Sequence, residues 1–268
     1  MTSESEIKQI VRERYASAAV ANTGCCGPNS CGESVDLGLD MIGDAYRSVD
    51  GYVAEADLGL GCGLPTEHAG IKAGDVVLDL GSGAGIDAFV ARRLVGASGR
   101  VIGVDMTPEM LARARDNAAK LGYDNVEFRQ GEIEALPIAD ASIDVVVSNC
   151  VLNLVPDKPR AFAEIFRVLR LGAHFCVSDI VATEQLPEPI QNAAALYVGC
   201  IAGALPIGEY LHRIAEAGFA AIAVVESKPI ALPDDVLAQA LSTAEIASFR
   251  QSGTQLQSIT VRATKPPA

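Results

Sequence analysis

The chain has no tryptophan, only three histidines, and no apolar run long enough to cross a bilayer. A spanning helix needs about 20 consecutive apolar residues, so no membrane association is expected. Basic residues are the minority: 21 Lys and Arg against 34 Asp and Glu leave a formal net charge of −13. A polyanion would be repelled by that field, so nucleic acid is not an expected partner either. His68, His174 and His212 are scattered and form no constellation with a serine or an acid. They read as ordinary residues, which leaves no imidazole to nominate as a general base. A hydrophobic leader is also missing. The opening stretch, MTSESEIKQIVRERY, is polar and charged, so the expected compartment is the cytosol. Seven cysteines in 268 residues are an odd number and too sparse for a disulfide scaffold. They are expected as free thiols, metal ligands or redox groups.

What is present is a chain long enough for one main domain with a smaller addition. Three parts are legible. Residues 1–70 hold a helix over about 3–20, then Gly-rich loops that carry cysteines. Residues 71–182 alternate strand and helix. Residues 183–268 read as a sheet edge and a cap over the site. In the middle part strands are expected at 76–80, 100–104, 125–129, 143–148 and 173–179, and helices at 85–95, 108–121 and 158–170. That alternation implies a doubly wound, mostly parallel α/β sheet with helices on both faces. Thr107 is expected to cap its helix, Pro108 to start it and Gly122 to end it. Farther on, a short helix is expected over 208–218 and strands over 220–225 and 258–263.

The run VVLDLGSGAGID over 76–87, followed by VIGVD over 101–105, carries the first functional signal. An apolar strand enters a Gly-rich turn and then a helix, and the next strand ends on an acid. Gly81, Gly83 and Gly85 let the backbone turn sharply and approach a ligand. The helix that follows offers its free N–H groups. Asp105 stands where a carboxylate accepts hydrogen bonds from both ribose hydroxyls, and Met106 beside it belongs to the same site. The loop reads G-S-G-A-G rather than G-x-G-x-x-G, which favours S-adenosyl-L-methionine over NAD. Asp79 precedes the loop and could hold the cationic methionine end. In GEIEALPI, Glu132 could accept from the adenine amino group while Ile133 packs on the ring; the plainer alternative for Glu132 is a solvated loop acid. Together these segments resemble the class I S-adenosylmethionine-dependent methyltransferases. That likeness implies a seven-stranded Rossmann-like sheet whose final strand runs antiparallel, and it leaves the methyl acceptor open.

The cysteines bear on the acceptor. Cys150 lies in SNCVLNL at the C-terminal end of the fourth strand, the sheet edge where ligands bind in open α/β folds. Cys200 lies in YVGCIAGALP, in the expected cap, and Cys62 in GLGCGLP, before the sheet. Taken singly, each could be no more than a small buried hydrophobe, and Cys176, inside HFCVSD, fits that description best. Cys25, Cys26 and Cys31 form CC-x4-C, which supplies three zinc ligands where four are usual, with His68 a distant fourth; a redox switch or an auxiliary thiol site are the alternatives.

GLGCGLP, SNCVLNL and YVGCIAGAL together resemble the arsenite S-adenosylmethionine methyltransferases, as do the N-terminal cysteine cluster and the closing SITVRATKP. The likeness covers nearly the whole chain. It implies methylation of arsenite or methylarsenite held by Cys150 and Cys200. Cys62 would be a third thiol, needed early and able to pair with Cys150 in a disulfide. Leu64 departs from the Asn more common in that motif. The chemistry is consistent: trivalent arsenic is thiophilic, as soft metals are. Its lone pair can attack a sulfonium methyl without any base. Each transfer oxidises arsenic, so a thiol reductant such as thioredoxin or glutathione is an implied partner. A monomer is expected. The competing readings are a class I methyltransferase for a small organic metabolite, and a metalloid-binding protein without transferase activity.

Overall fold

A computed structural model describes residues 4–21, 43–193, 196 and 200–267. Cys25, Cys26 and Cys31, with the expectations attached to them, lie outside the described residues.

The chain opens with α1 (Glu4–Ala21) and, after a 3-10 turn (Gly43–Ser48), the single turn α2 (Pro65–His68). Regular alternation then begins: β1 (Val76–Leu80), α3 (Ile86–Val95), β2 (Arg100–Asp105), α4 (Pro108–Leu121), β3 (Val126–Gln130), β4 (Ile143–Asn149), α5 (Lys158–Val168) and β5 (Leu169–Ala182). The last part holds α6 (Glu188–Gln191), α7 (Ile207–Glu216), β6 (Ala220–Ile230), α8 (Asp234–Leu237), α9 (Thr243–Ser252) and β7 (Leu256–Thr264). The seven strands form one sheet in the order β3-β2-β1-β4-β5-β7-β6. The first five run parallel. β7 inserts antiparallel between β5 and β6. The order reverses at β1 and β4, so a crevice opens at their C-terminal ends, the position that binds ligands in such sheets.

Alternation along β1 shows how the layers arise. Leu78 and Leu80 point into one core with Phe162 and Ile165 of α5 and Tyr210 and Ile214 of α7. Val77 points into the opposite core with Phe89 of α3 and Met110, Leu111 and Ala114 of α4. Period-2 side chains on the strand meet helical faces on both sides. A third apolar cluster sits beyond the strand ends. It joins Val11 of α1, Leu154, Leu196 and Ile201, Leu237 of α8 and Phe249 of α9, and it contains Cys62, Cys150 and Cys200. Cys176 is not in it; that residue packs among Val77, Val145 and Val147 in the α3/α4 core.

Three expectations need correction. The helix over 158–170 stops at Val168, and β5 begins at Leu169, whose backbone is already extended and pairs with Ile143. The strand over 220–225 continues to Ile230 and includes Pro229; as a sheet edge it tolerates the missing N–H. Thr107 occupies the N-cap of α4 without a side-chain cap bond. Its backbone N–H instead donates to Asp105 Oδ1 at 2.8 Å.

Candidate active site

A cleft of about 1130 Å³, open to solvent, lies over the C-terminal ends of β1, β2 and β4. Its walls include Asp79, Gly81, Gly83, Asp105, Met106, Glu132, Ile133 and Cys150, and α1 contributes Lys8, Val11 and Tyr15. The glycine loop follows from hard sterics. Gly81 has φ +64°, and a Cβ there would lie 2.5 Å from the Val151 side chain. Gly85 has φ +100°, and its Cβ would meet the Phe89 ring at 2.9 Å. A side chain at either position would be both strained and obstructed.

Asp105 is held rigidly. Gly83 N–H donates to Oδ2 at 2.9 Å and Thr107 N–H to Oδ1 at 2.8 Å. Each carboxylate oxygen has a second lone pair, so acceptor capacity remains for a diol. Burial pushes this carboxyl above its ordinary value, against the pull of those backbone bonds.

Two more acids lie close by. Asp79 is 2% exposed and Asp87, in the first turn of α3, is 4% exposed. Burial raises Asp79 well above the usual carboxylate range, and the charges of Asp87 and Asp105 add to the effect. Burial pushes Asp87 up to about 6, although Tyr46 and Asn149 donate hydrogen bonds to it. Asp79 Oδ2, Asp87 Oδ1 and Ser82 Oγ are buried without a hydrogen-bond partner. Orphaned acceptors of this kind are costly, and three acids without a cation make a site suited to a cationic ligand. An amino acid ammonium beside a sulfonium fits that requirement, as a nucleoside diol fits Asp105 and an apolar ring face fits Ile133. The residues present therefore suit S-adenosylmethionine.

Glu132 is ion-paired. Lys8 donates to its Oε2 at 2.7 Å, Arg12 lies 3.8 Å from Oε1, and Lys8 also reaches Glu134 at 2.9 Å. This carboxylate ties α1 across the cleft it lines, and lone pairs remain on both of its oxygens.

The thiols converge. Cys62, Cys150 and Cys200 come from three distant parts of the chain and are each 2% exposed or less. Cys150 Sγ is within hydrogen-bond reach of both other sulfurs. Those bonds, more than burial, push its thiol well above the ordinary value. For Cys200 the bond with Cys150 pulls downward, and burial with the neighbouring Asp179 and Cys62 charges still leaves the thiol raised. Cys200 Sγ donates to the Cys150 carbonyl at 2.7 Å. The four described cysteines are free thiols. Among the described residues, no group of three His, Cys, Asp or Glu side chains is arranged to hold a metal ion as it stands.

Backbone strain marks the same place. Cys150 has φ +59° and Cys200 φ +62°, a region that non-glycine residues rarely occupy and that clusters at functional sites. Cys150 is fixed there by its N–H bond to the Ser178 carbonyl at 2.8 Å. The turn after Cys200 is pressed against the 3-10 turn that follows β4 (Leu152–Leu154): a Cβ on Gly203 would fall 2.0 Å from the Asn153 carbonyl. His68, His174 and His212 stay outside the cleft, paired with Glu226, the Ala69 carbonyl and Glu216.

Tyr46, Asp87 and Asn149 are site residues that the sequence reading did not single out. Two signals were available: Asn149 lies inside the quoted SNCVLNL motif, and Asp87 stands at the start of the helix after the glycine loop.

Known proteins agree with this geometry. Residues 71–218 match the family of proteins sharing a methyltransferase domain. The chain is 43% identical to the arsenite methyltransferase of Halobacterium salinarum, over 97% of this chain and 67% of that protein. It is 35% identical to the arsenite methyltransferase of Homo sapiens, over 91% of this chain and 66% of that one. Among solved structures it resembles an arsenic(III) S-adenosylmethionine methyltransferase from Chlamydomonas reinhardtii, with TM-score 0.67 and 38% identity over 78% of this chain and 68% of the other. The chain thus spans about two thirds of the length of each of these relatives. The site, the sheet order and these likenesses agree, and the chain belongs to the arsenite methyltransferase family of class I methyltransferases.

Proposed function

We propose that this protein transfers methyl groups from S-adenosylmethionine to trivalent arsenic held by the thiols of Cys62, Cys150 and Cys200. One observation carries the reading: Cys150 lines the same cleft as Asp79, Asp105 and Ile133, and it shares one buried cluster with Cys62 and Cys200. When bound, S-adenosylmethionine supplies an electrophilic methyl on a positively charged sulfur. The chain's own residues do the rest. Asp79 and Asp87 compensate the positive charge of the methionine end, Asp105 orients the ribose, and Ile133 and Met106 pack on the adenosine. The glycine loop lets the backbone approach.

The raised thiols of Cys150 and Cys200 stay neutral while the site is empty. As(OH)3 then exchanges its hydroxyls for sulfurs; each thiol proton leaves with a hydroxide as water, so no base is needed. Cys200 must give up its bond to the Cys150 carbonyl to seat the metalloid. The arsenic lone pair forms the As–C bond, the S–CH3 bond breaks with its electrons on sulfur, and S-adenosylhomocysteine leaves. Catalysis is by position and exclusion of water. Arsenic rises formally from III to V, and two thiol electrons return it, ending in a disulfide. A reductant such as thioredoxin or glutathione reopens that disulfide, which suits a reducing cytosol. Methylarsenite would use the same site. A monomer is the expected state, and gel filtration showing a stable dimer would overturn it. Among the described residues, no helix is long and apolar enough to cross a membrane.

The test is formation of S-adenosylhomocysteine with and without arsenite in excess reduced thiol. Arsenite-dependent turnover is expected. Cofactor binding with no arsenite-dependent turnover would point to an organic acceptor instead.

The acids also set a pH dependence. A cation beside Asp87 requires the ionised carboxylate, whose proton leaves at about 6. Below that pH the proton must be lost before the cation binds, so affinity for S-adenosylmethionine is expected to fall by up to about tenfold per pH unit. Asp79 is raised as well and acts in the same direction. Calorimetry across this range checks it, and an affinity independent of pH would contradict it.

A further inference from the structure

Asn149, the last residue of β4, makes more hydrogen bonds than its place beside Cys150 requires. Its Oδ1 accepts from Cys62 N–H at 3.0 Å and from Gly63 N–H at 3.2 Å. Its Nδ2 donates to the Gly63 carbonyl at 2.8 Å, to the Tyr46 hydroxyl, and to Asp87 Oδ2 at 3.2 Å. Tyr46 in turn donates to the same Asp87 oxygen at 2.8 Å. One amide therefore grips the backbone on both sides of Cys62 and the buried acid at the donor end of the cleft. The loop comes this close only because it has no side chains there. A Cβ on Gly61 would lie 2.7 Å from Asn149 Nδ2, and one on Gly63 would lie 2.4 Å from Ser178 Oγ. The other oxygen of Asp87 has no partner and is buried, and the residue lines the cleft.

We propose that Asn149 is a positioning residue that couples the donor end of the cleft to Cys62: its amide fixes the Cys62 loop, and occupancy beside Asp87 tightens that hold. The proposal rests on the reading that the cleft takes the S-adenosyl cofactor. Two hydrogens on Nδ2 serve three acceptors. A cation that takes up Asp87 charge frees the amide for Gly63 and Tyr46. Coupling of this kind is reciprocal, so what binds at one end changes the other.

Site-selective alkylation tests it without arsenic or turnover. Wild type, Asn149→Ala and Asn149→Asp are treated with iodoacetamide, with and without S-adenosylhomocysteine, and each cysteine is followed by peptide mapping. Cys176, buried in a different core, is the internal control for general loosening. In wild type, S-adenosylhomocysteine is expected to slow labelling of Cys62. In Asn149→Ala, loss of the clamp should speed Cys62 labelling by about tenfold while Cys176 does not change. Asn149→Asp keeps an acceptor for the two backbone N–H groups but loses every donor. Its Cys62 should label at a near wild-type basal rate and lose its response to the ligand.

Equal Cys62 rates in wild type and Asn149→Ala would overturn the positioning role. So would a parallel rise at Cys176 in both variants. A full ligand response in Asn149→Asp would overturn the coupling. If calorimetry showed no binding of S-adenosylhomocysteine to wild type, the functional reading and the coupling built on it would both fail, while basal labelling would still decide the clamp.

Discussion

Asp79→Asn is expected to weaken S-adenosylmethionine binding by about a hundredfold or more, the usual scale for removing one partner of a buried charge pair, while making the unliganded protein more stable. Both effects have one cause. Asp79 is 2% exposed, its Oδ2 has no partner, and Asp87 and Asp105 stand nearby with the same charge. Without a cation, the folded state holds an uncompensated carboxylate that the unfolded chain would leave in water. The folded-state pKa therefore lies above the unfolded one. Stability is lost as pH rises from the unfolded value toward the folded value, because the folded state keeps the proton longer. An amide removes the charge and still offers an oxygen to the Ala88 N–H that Asp79 now engages. The expected gain is about 1–3 kcal/mol near neutral pH, shrinking toward zero in acid, where the wild-type carboxyl is itself protonated. Thermal unfolding of both proteins at neutral and acidic pH, with and without ligand, measures it. A variant that binds normally would remove Asp79 from the site. A variant less stable at neutral pH would show that its backbone bond outweighs its charge.

The parallel strands were legible because their apolar runs and the glycines and acids that end them are local signals. Val76–Leu80 and Ile143–Asn149 read as strands whatever surrounds them. The start of β5 was not legible, since Leu169 is helical in pattern and extended only because Ile143 pairs with it. Asp79 and Asp105 could be nominated from position after a strand. Asp87 could not, because an acid in the first turn of a helix is normally a solvated dipole partner; here Tyr46, 41 residues upstream, encloses it. Glu132 is the reverse case. Its motif suggested an adenine acceptor or a solvated acid, and the ion pair it makes with a lysine 124 residues away has no local signal. The strain at Cys150 and Cys200 leaves no mark on composition at all, since it depends on what lies across the sheet edge.

The four described cysteines, all buried free thiols, allow the sharpest contrast. Cys150→Ser is expected to lower arsenite-dependent turnover by about a thousandfold, near 4 kcal/mol of transition-state stabilisation, with S-adenosylhomocysteine still bound. Oxygen is a hard ligand, and an As–O bond to serine exchanges with water instead of holding the metalloid under the methyl. Cys176→Ser is expected to leave turnover unchanged. Its sulfur is fully buried between β-strand valines in the α3/α4 core, where burial pushes the thiol up to about 12, and it does not line the cleft. Its cost should appear instead in stability, at about 1–3 kcal/mol for a hydroxyl placed among apolar side chains. Turnover of both variants with arsenite, set beside their melting temperatures, separates the two roles. Equal losses of activity would mean that the cysteines act through packing alone. Normal turnover in Cys150→Ser would remove the thiol-held acceptor, and the strained backbone at that residue would need another explanation.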